Sequence, residues 1–168
     1  MAQSGRPNKS DPRIENISYD IELGNNDKVI KLVSEIGIDS NDGYLRTPLI
    51  WATFSNNVKL LRWLIENGAN INHQDRNGYC ALHFAGQQKS LESAKLLLDN
   101  GANINLKDIH GNPPIWTAIF NSRGDYTIVK LFVTNGADLD SENNHNTTSR
   151  KLAEMIAGFD LNSIKQNH

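Results

Sequence analysis

Several protein classes require features that this chain has little of. A single cysteine, Cys80, cannot form an internal disulfide and fits a reducing compartment. No apolar stretch approaches the length of a membrane span. Residues 1–13 are polar, carry Pro7 and Pro12, and lack the apolar centre of a secretory leader. Charge of one sign is also scarce. Lys and Arg number 17 against 19 Asp and Glu, the net charge is −2, and no run of like charge exceeds two residues. That balance argues against a nucleic-acid or anionic-membrane partner. A phosphate-cradling glycine loop and a nucleophile elbow are missing as well. These absences point to a soluble cytoplasmic protein whose hydrophobic content, 38%, is low but adequate for a thin core.

What the chain does contain is a stride. Ile65-Glu66-Asn67-Gly68-Ala69-Asn70-Ile71-Asn72 is nearly repeated as Leu98-Asp99-Asn100-Gly101-Ala102-Asn103-Ile104-Asn105. Gly68 and Gly101 lie 33 residues apart, as do Gly78 and Gly111, and Gly136 follows Gly101 after 35. A fixed period of this length means stacked units, each too small to bury its own apolar face. Aligned on the glycines, Thr47-Pro48-Leu49-Ile50-Trp51-Ala52, Cys80-Ala81-Leu82-His83-Phe84-Ala85 and Pro113-Pro114-Ile115-Trp116-Thr117-Ala118 fall in register. Each opens a short helix, with Thr47 as a cap and Pro48 or Pro114 at the first helical position. A second helix follows, carrying Leu60, Leu61, Leu64 and Ile65, then Leu91, Ala94, Leu97 and Leu98, then Ile128, Leu131 and Phe132 on one face. Asn57, Ser90 and Asp125 are its expected N-caps, and Gly68, Gly101 and Gly136 its left-handed ends.

These residues resemble the ankyrin repeat, whose Thr-Pro-Leu-His-x-Ala element sits in a 33-residue unit. The first copy has Ile50 at the histidine position. The second keeps Leu82, His83 and Ala85 but has Cys80 and Ala81. The resemblance implies an all-α solenoid of stacked helix-turn-helix units with extended loops. Three central units (45–76, 77–109, 110–142) are expected between an N-terminal cap unit (14–44) and a C-terminal cap (143–164). Asp27 to Gly37 reads as the second helix of the first cap. Thr148, Leu152 and Ala153 open the last cap, with a truncated helix from about Asn162. Residues 1–13 and 165–168 are expected to be tails.

The pattern breaks in three places. The third central unit carries two extra residues around Asn121-Ser122-Arg123-Gly124, either loop drift or a protruding contact with Arg123 at its tip. Lys89 stands where Asn56 and Gly124 end their first helices, and a lysine is a poor left-handed residue, so a locally different turn is expected. Pro113-Pro114 stiffens the start of the third unit.

The resemblance further implies that a partner meets the loop tips and the exposed face of the first helices. The matching tip positions are Tyr44 and Arg46, then Arg76, Asn77 and Tyr79, then Ile109, His110 and Asn112, with Lys107 just before a tip. The helix ends contribute Phe54, Gln87, Gln88, Phe120 and Asn121, and Arg123 joins them from the insertion. Tyr, Phe and Arg are the types that dominate interface hot spots. Phe54 and Phe120 have an alternative place as extra core between units. Trp51, Trp63, Phe84 and Trp116 fall on positions facing other helices, as core or groove edge.

Catalysis is not expected. His83 occupies the repeat's own histidine position and should bridge backbone groups between loops. His73, His110 and His145 lie on separate loops with no acid or cysteine at ligand spacing, so no metal or cofactor is expected. Cys80 at a helix start reads as a packed thiol. The chain therefore reads as a protein-binding module, monomeric on its own. The alternative is a small stand-alone inhibitor or immunity protein that occludes an enzyme or toxin; self-association of the array is a third reading.

Overall fold

A computed structural model describes residues 10–157. Its helices are α1 (Ile17–Glu22), α2 (Asn26–Ile36), α3 (Pro48–Phe54), α4 (Val58–Glu66), α5 (Ala81–Gln88), α6 (Leu91–Asp99), α7 (Pro114–Phe120), α8 (Thr127–Thr134) and α9 (Ser149–Ala157). They form two layers. In the inner layer α1, α3, α5, α7 and α9 pack each on the next, and in the outer layer α4, α6 and α8 do the same. Each pair α1–α2, α3–α4, α5–α6 and α7–α8 is itself packed. The only β pairing among the described residues is a single antiparallel bridge between Glu142 and Thr148. This is the stacked array that the stride predicts. The core runs through it without a break: Leu49, Leu60, Leu61, Leu64, Leu82, Leu97, Ile115 and Phe132 are all but inaccessible to solvent. Each such side chain contributes roughly 1.5–3 kcal/mol when buried.

Local chemistry accounts for the helix ends. Thr47 Oγ1 accepts the Ile50 amide at 3.4 Å, and Asn57 Oδ1 accepts the Leu60 amide at 3.2 Å. Thr148 Oγ1 does the same for Lys151 at 3.2 Å. Gly68, Gly101 and Gly136 take φ of +85°, +81° and +85° just past their helices. Two expected caps differ. Ser90 holds the N-cap position of α6 but makes no capping bond with its side chain. Asp125 lies one residue outside, because α8 starts at Thr127 with Tyr126 as N-cap, although Asp125 Oδ1 still accepts the Thr127 amide at 3.1 Å.

Two further expectations change. The turn at Lys89 is not different from its neighbours: Lys89 adopts φ +57°, as Asn56 adopts +49° and Gly124 +87°. Its side chain offsets part of the cost, since Nζ donates to the Ser122 carbonyl of the next unit at 2.7 Å. At the N-terminus, the residues from Ser10 to Arg13 lead into a turn rather than a tail. The Ile14 amide donates to the Asp11 carbonyl at 2.9 Å, and Arg13 pairs with Asp11 and Glu35 at 2.8 and 3.0 Å. Residues 1–9, the helix expected from Asn162 and the tail 165–168 lie outside the described residues.

Candidate functional site

The loops between units are built by one device used four times. Asp42, Asp75, Asp108 and Asn143 are buried, and one side-chain oxygen of each accepts the amides two and four residues on. Each loop closes into a tight finger. Adjacent fingers are then tied tip to tip: the Arg76 amide donates to the Tyr44 carbonyl, Ile109 to Asn77, and Asn144 to His110, at 2.9–3.1 Å. A second ladder lies behind the fingers, where the Asn70, Asn103 and Asp138 amides donate to Asp39, Asn72 and Asn105 side chains at 2.8–2.9 Å. Left-handed Gly78 completes the second finger, and a Cβ there would lie 2.9 Å from the Asp108 Cα of the next one. The finger row is thus preformed by backbone chemistry before any partner arrives.

Between the first two central fingers and the inner helices lies a hollow of about 450 Å³. Arg46, Trp51, Phe54 and Asp75 line it from one unit, and Asn77, Tyr79, Phe84 and Gln87 from the next. Its walls are aromatic and mutually packed. Phe54 meets Trp51 and Phe84 edge to face at 5.6 and 6.1 Å, Tyr79 meets Phe84 edge to face at 5.6 Å, and Tyr79 stacks on His83 at 4.8 Å. Burial pushes the Tyr79 phenol above its ordinary range. The Trp51 indole N–H donates to Asp42 Oδ2 at 3.0 Å, fixing the ring by a buried acid.

Five of the residues expected to meet a partner therefore share one site: Arg46, Phe54, Asn77, Tyr79 and Gln87. Tyr44 stands beside it, 61% exposed, with the guanidinium groups of Arg46 and Arg76 over its ring at 5.3 and 5.9 Å. Ile109 and His110 are exposed on the third finger. Asn112 and Lys107 have internal work instead. Asn112 accepts from Asn143 Nδ2 at 2.7 Å, and Lys107 Nζ donates to the Glu142 carbonyl at 2.9 Å. Gln88, Phe120, Asn121 and Arg123 lie at the far ends of the inner helices, about 10 Å along the axis from the fingers. There Phe54 and Phe120 part company: Phe54 is half-buried against its aromatic neighbours, whereas Phe120 is 63% exposed. Of the ring positions assigned to core or groove edge, Trp51 and Phe84 form the edge. Asp75 holds Arg46, with Nε donating to Oδ2 at 3.3 Å.

The titratable groups near the hollow are structural in their bonding. His83 is buried, and Cys80 beneath it has its thiol pushed up to about 11 by burial. No group of three or more His, Cys, Asp or Glu that could hold a metal ion occurs among the described residues. No described helix is long and apolar enough to cross a membrane.

The architecture defines a class, a solenoid of paired helices with a row of rigid fingers over an inner helix face. The sequence profile of ankyrin repeats (3 copies) matches residues 17–108 and 74–143. The chain belongs to the ankyrin-repeat family, whose members are in general protein–protein interaction modules. It is also 32% identical to Inversin of Danio rerio over 74 residues, which is 44% of this chain and 7% of that protein. The match thus spans only a small part of that relative's length.

Proposed function

We propose that the chain binds a partner protein through its first three fingers and the adjoining inner helices, with the aromatic hollow between α3 and α5 as the centre. The observation that carries this reading is the conjunction of a preformed concavity with exposed Tyr44, Arg76, Asn77 and Gln87 around it. Walls already locked by hydrogen bonds lose little entropy on docking, so a modest contact area yields useful affinity. Lys107 and Asn112 act in finger assembly, and Arg123 lies apart from the centre.

The test is a titration of a partner protein recovered from the cells that make this chain. Tyr44→Ala and Gln87→Ala each weaken binding by about 1 kcal/mol or more if the hollow is central. Arg123→Ala leaves the affinity unchanged. Equal affinity for all three variants moves the interface to the outer helices. Assaying the partner's own activity at equimolar protein tests the inhibitor reading in the same experiment.

A further inference from the structure

Arg46 occupies a finger position filled by Tyr79, Asn112 and Thr147 in the following units. The repeat itself therefore has no need of a guanidinium there. The group is nevertheless held firmly, with its Cζ 5.3 Å from the Tyr44 ring centre, 5.1 Å from Trp51 and 5.3 Å from Phe84. Asp75 holds one edge only: Nε donates to Asp75 Oδ2 at 3.3 Å, while Oδ1 is taken by the Asn77 and Tyr79 amides at 2.8 and 2.9 Å. The two terminal amino groups have no acceptor among the described residues, and the side chain is 24% exposed. They form a planar fork that matches a carboxylate.

Charge is sorted in the same direction. Within the three fingers 42–46, 75–79 and 108–112, the acids Asp42, Asp75 and Asp108 are 6%, 5% and 7% exposed, while both arginines, Arg46 and Arg76, reach the surface. We propose that the hollow receives an aspartate or glutamate side chain from an extended segment of the partner protein, forked onto the terminal amino groups of Arg46. An adjoining apolar side chain rests on Phe54 and Tyr79. The incoming carboxylate meets the edge of the guanidinium that Asp75 does not use, and Arg76 offsets the like charge beneath. A cationic side chain is excluded, because Arg46 already covers the rings that would receive it. This proposal rests on the reading of the hollow as the centre of the interface.

The experiment selects dodecapeptides from a random phage-displayed library on the full chain. Selected peptides are then titrated, as synthesised and with each acidic residue changed to its amide, into the parent chain and into Arg46→Gln, Arg46→Lys and Gln87→Ala. The expected result is one shared acidic position whose neutralisation weakens binding to the parent roughly tenfold or more. The same change has little further effect on Arg46→Gln, Arg46→Lys is intermediate because it keeps charge without the fork, and added salt weakens the parent complex. The comparison of amide and acid in the parent chain needs no altered protein, so a poorly folded variant does not blur it. Peptides that lose affinity with Gln87→Ala but show no acidic preference overturn the carboxylate proposal and leave the hollow standing as an interface. Peptides indifferent to Gln87→Ala and Arg46→Gln, or a selection that returns no binder, overturn both. Enrichment of a basic position overturns the proposal outright.

Discussion

His83 Nε2 donates to the backbone carbonyl of Asn112 at 3.0 Å, while its Nδ1 accepts the Cys80 amide at 3.1 Å. One ring thus caps its own helix and ties the second central unit to the third finger. Both bonds need the neutral tautomer with its proton on Nε2.

That requirement has a pH consequence. Burial holds His83 below the ordinary imidazole value of about 6.5, against the opposing pull of the Asn112 carbonyl and the Asp108 and Asp75 carboxylates. The folded pKa is the lower one, so unfolding takes up a proton between it and about 6.5. The contribution is therefore fully present above the unfolded value and is lost as pH falls below it. Urea unfolding at about pH 7.5 and pH 5.5 should show a larger acid loss for the parent than for His83→Gln, the difference isolating this ring. Equal losses would mean that His83 titrates in the folded protein as it does in the unfolded chain.

Legibility from the sequence follows how local each constraint is. Gly68, Gly101 and Gly136 announce helix ends because a left-handed residue is a property of one position. His83 was readable for a similar reason, since its cap bond spans three residues and its distant bond is to the finger that the stride places alongside. Asp75 and Asp108 recur at the stride of 33, but the full set with Asp42 and Asn143 is masked by an Asp-to-Asn change that preserves the accepting oxygen. Arg46 shows the limit. Its placement depends on Phe84 in the next unit and on Asp75 at the next finger, both distant in sequence, and nothing in its own neighbourhood marks it off from an ordinary surface arginine. The Lys89 turn fails for the same reason, because Ser122 lies in another unit.

The finger device allows a sharper test at Asp75. Its Oδ1 serves two amides and its Oδ2 serves Arg46, with the side chain 1% exposed. Asn143 performs the double acceptance in the last finger without a charge. Asp75→Asn should then keep the finger and lose only the ion pair, at about 1 kcal/mol since Arg46 remains partly solvated. Asp75→Ala leaves two part-buried amides without their acceptor as well and should cost about 2–3 kcal/mol. Chemical denaturation of the two variants decides the matter. Equal losses would show that the charge, not the accepted amides, holds the finger.

Lys89 combines a cost with a compensation that can be separated. Its left-handed backbone, φ +57° and ψ +34°, disfavours any residue with a Cβ by about 1–2 kcal/mol. Its bond to the Ser122 carbonyl returns about 0.5–1.5 kcal/mol, and it reaches the very loop that holds the extra residues of the third central unit. Lys89→Ala removes the bond and keeps the strain, so it should lower stability by about 1 kcal/mol. Lys89→Gly removes both, and part of the relief is offset by the greater freedom of glycine in the unfolded chain. The glycine variant should therefore be about 1 kcal/mol more stable than the alanine variant and close to the parent. Thermal and urea unfolding of the three proteins measure this directly. If glycine is less stable than alanine, the turn carries no left-handed strain; if alanine matches the parent, the lysine bond contributes nothing, and the link between α5 and the loop before α8 rests on packing alone.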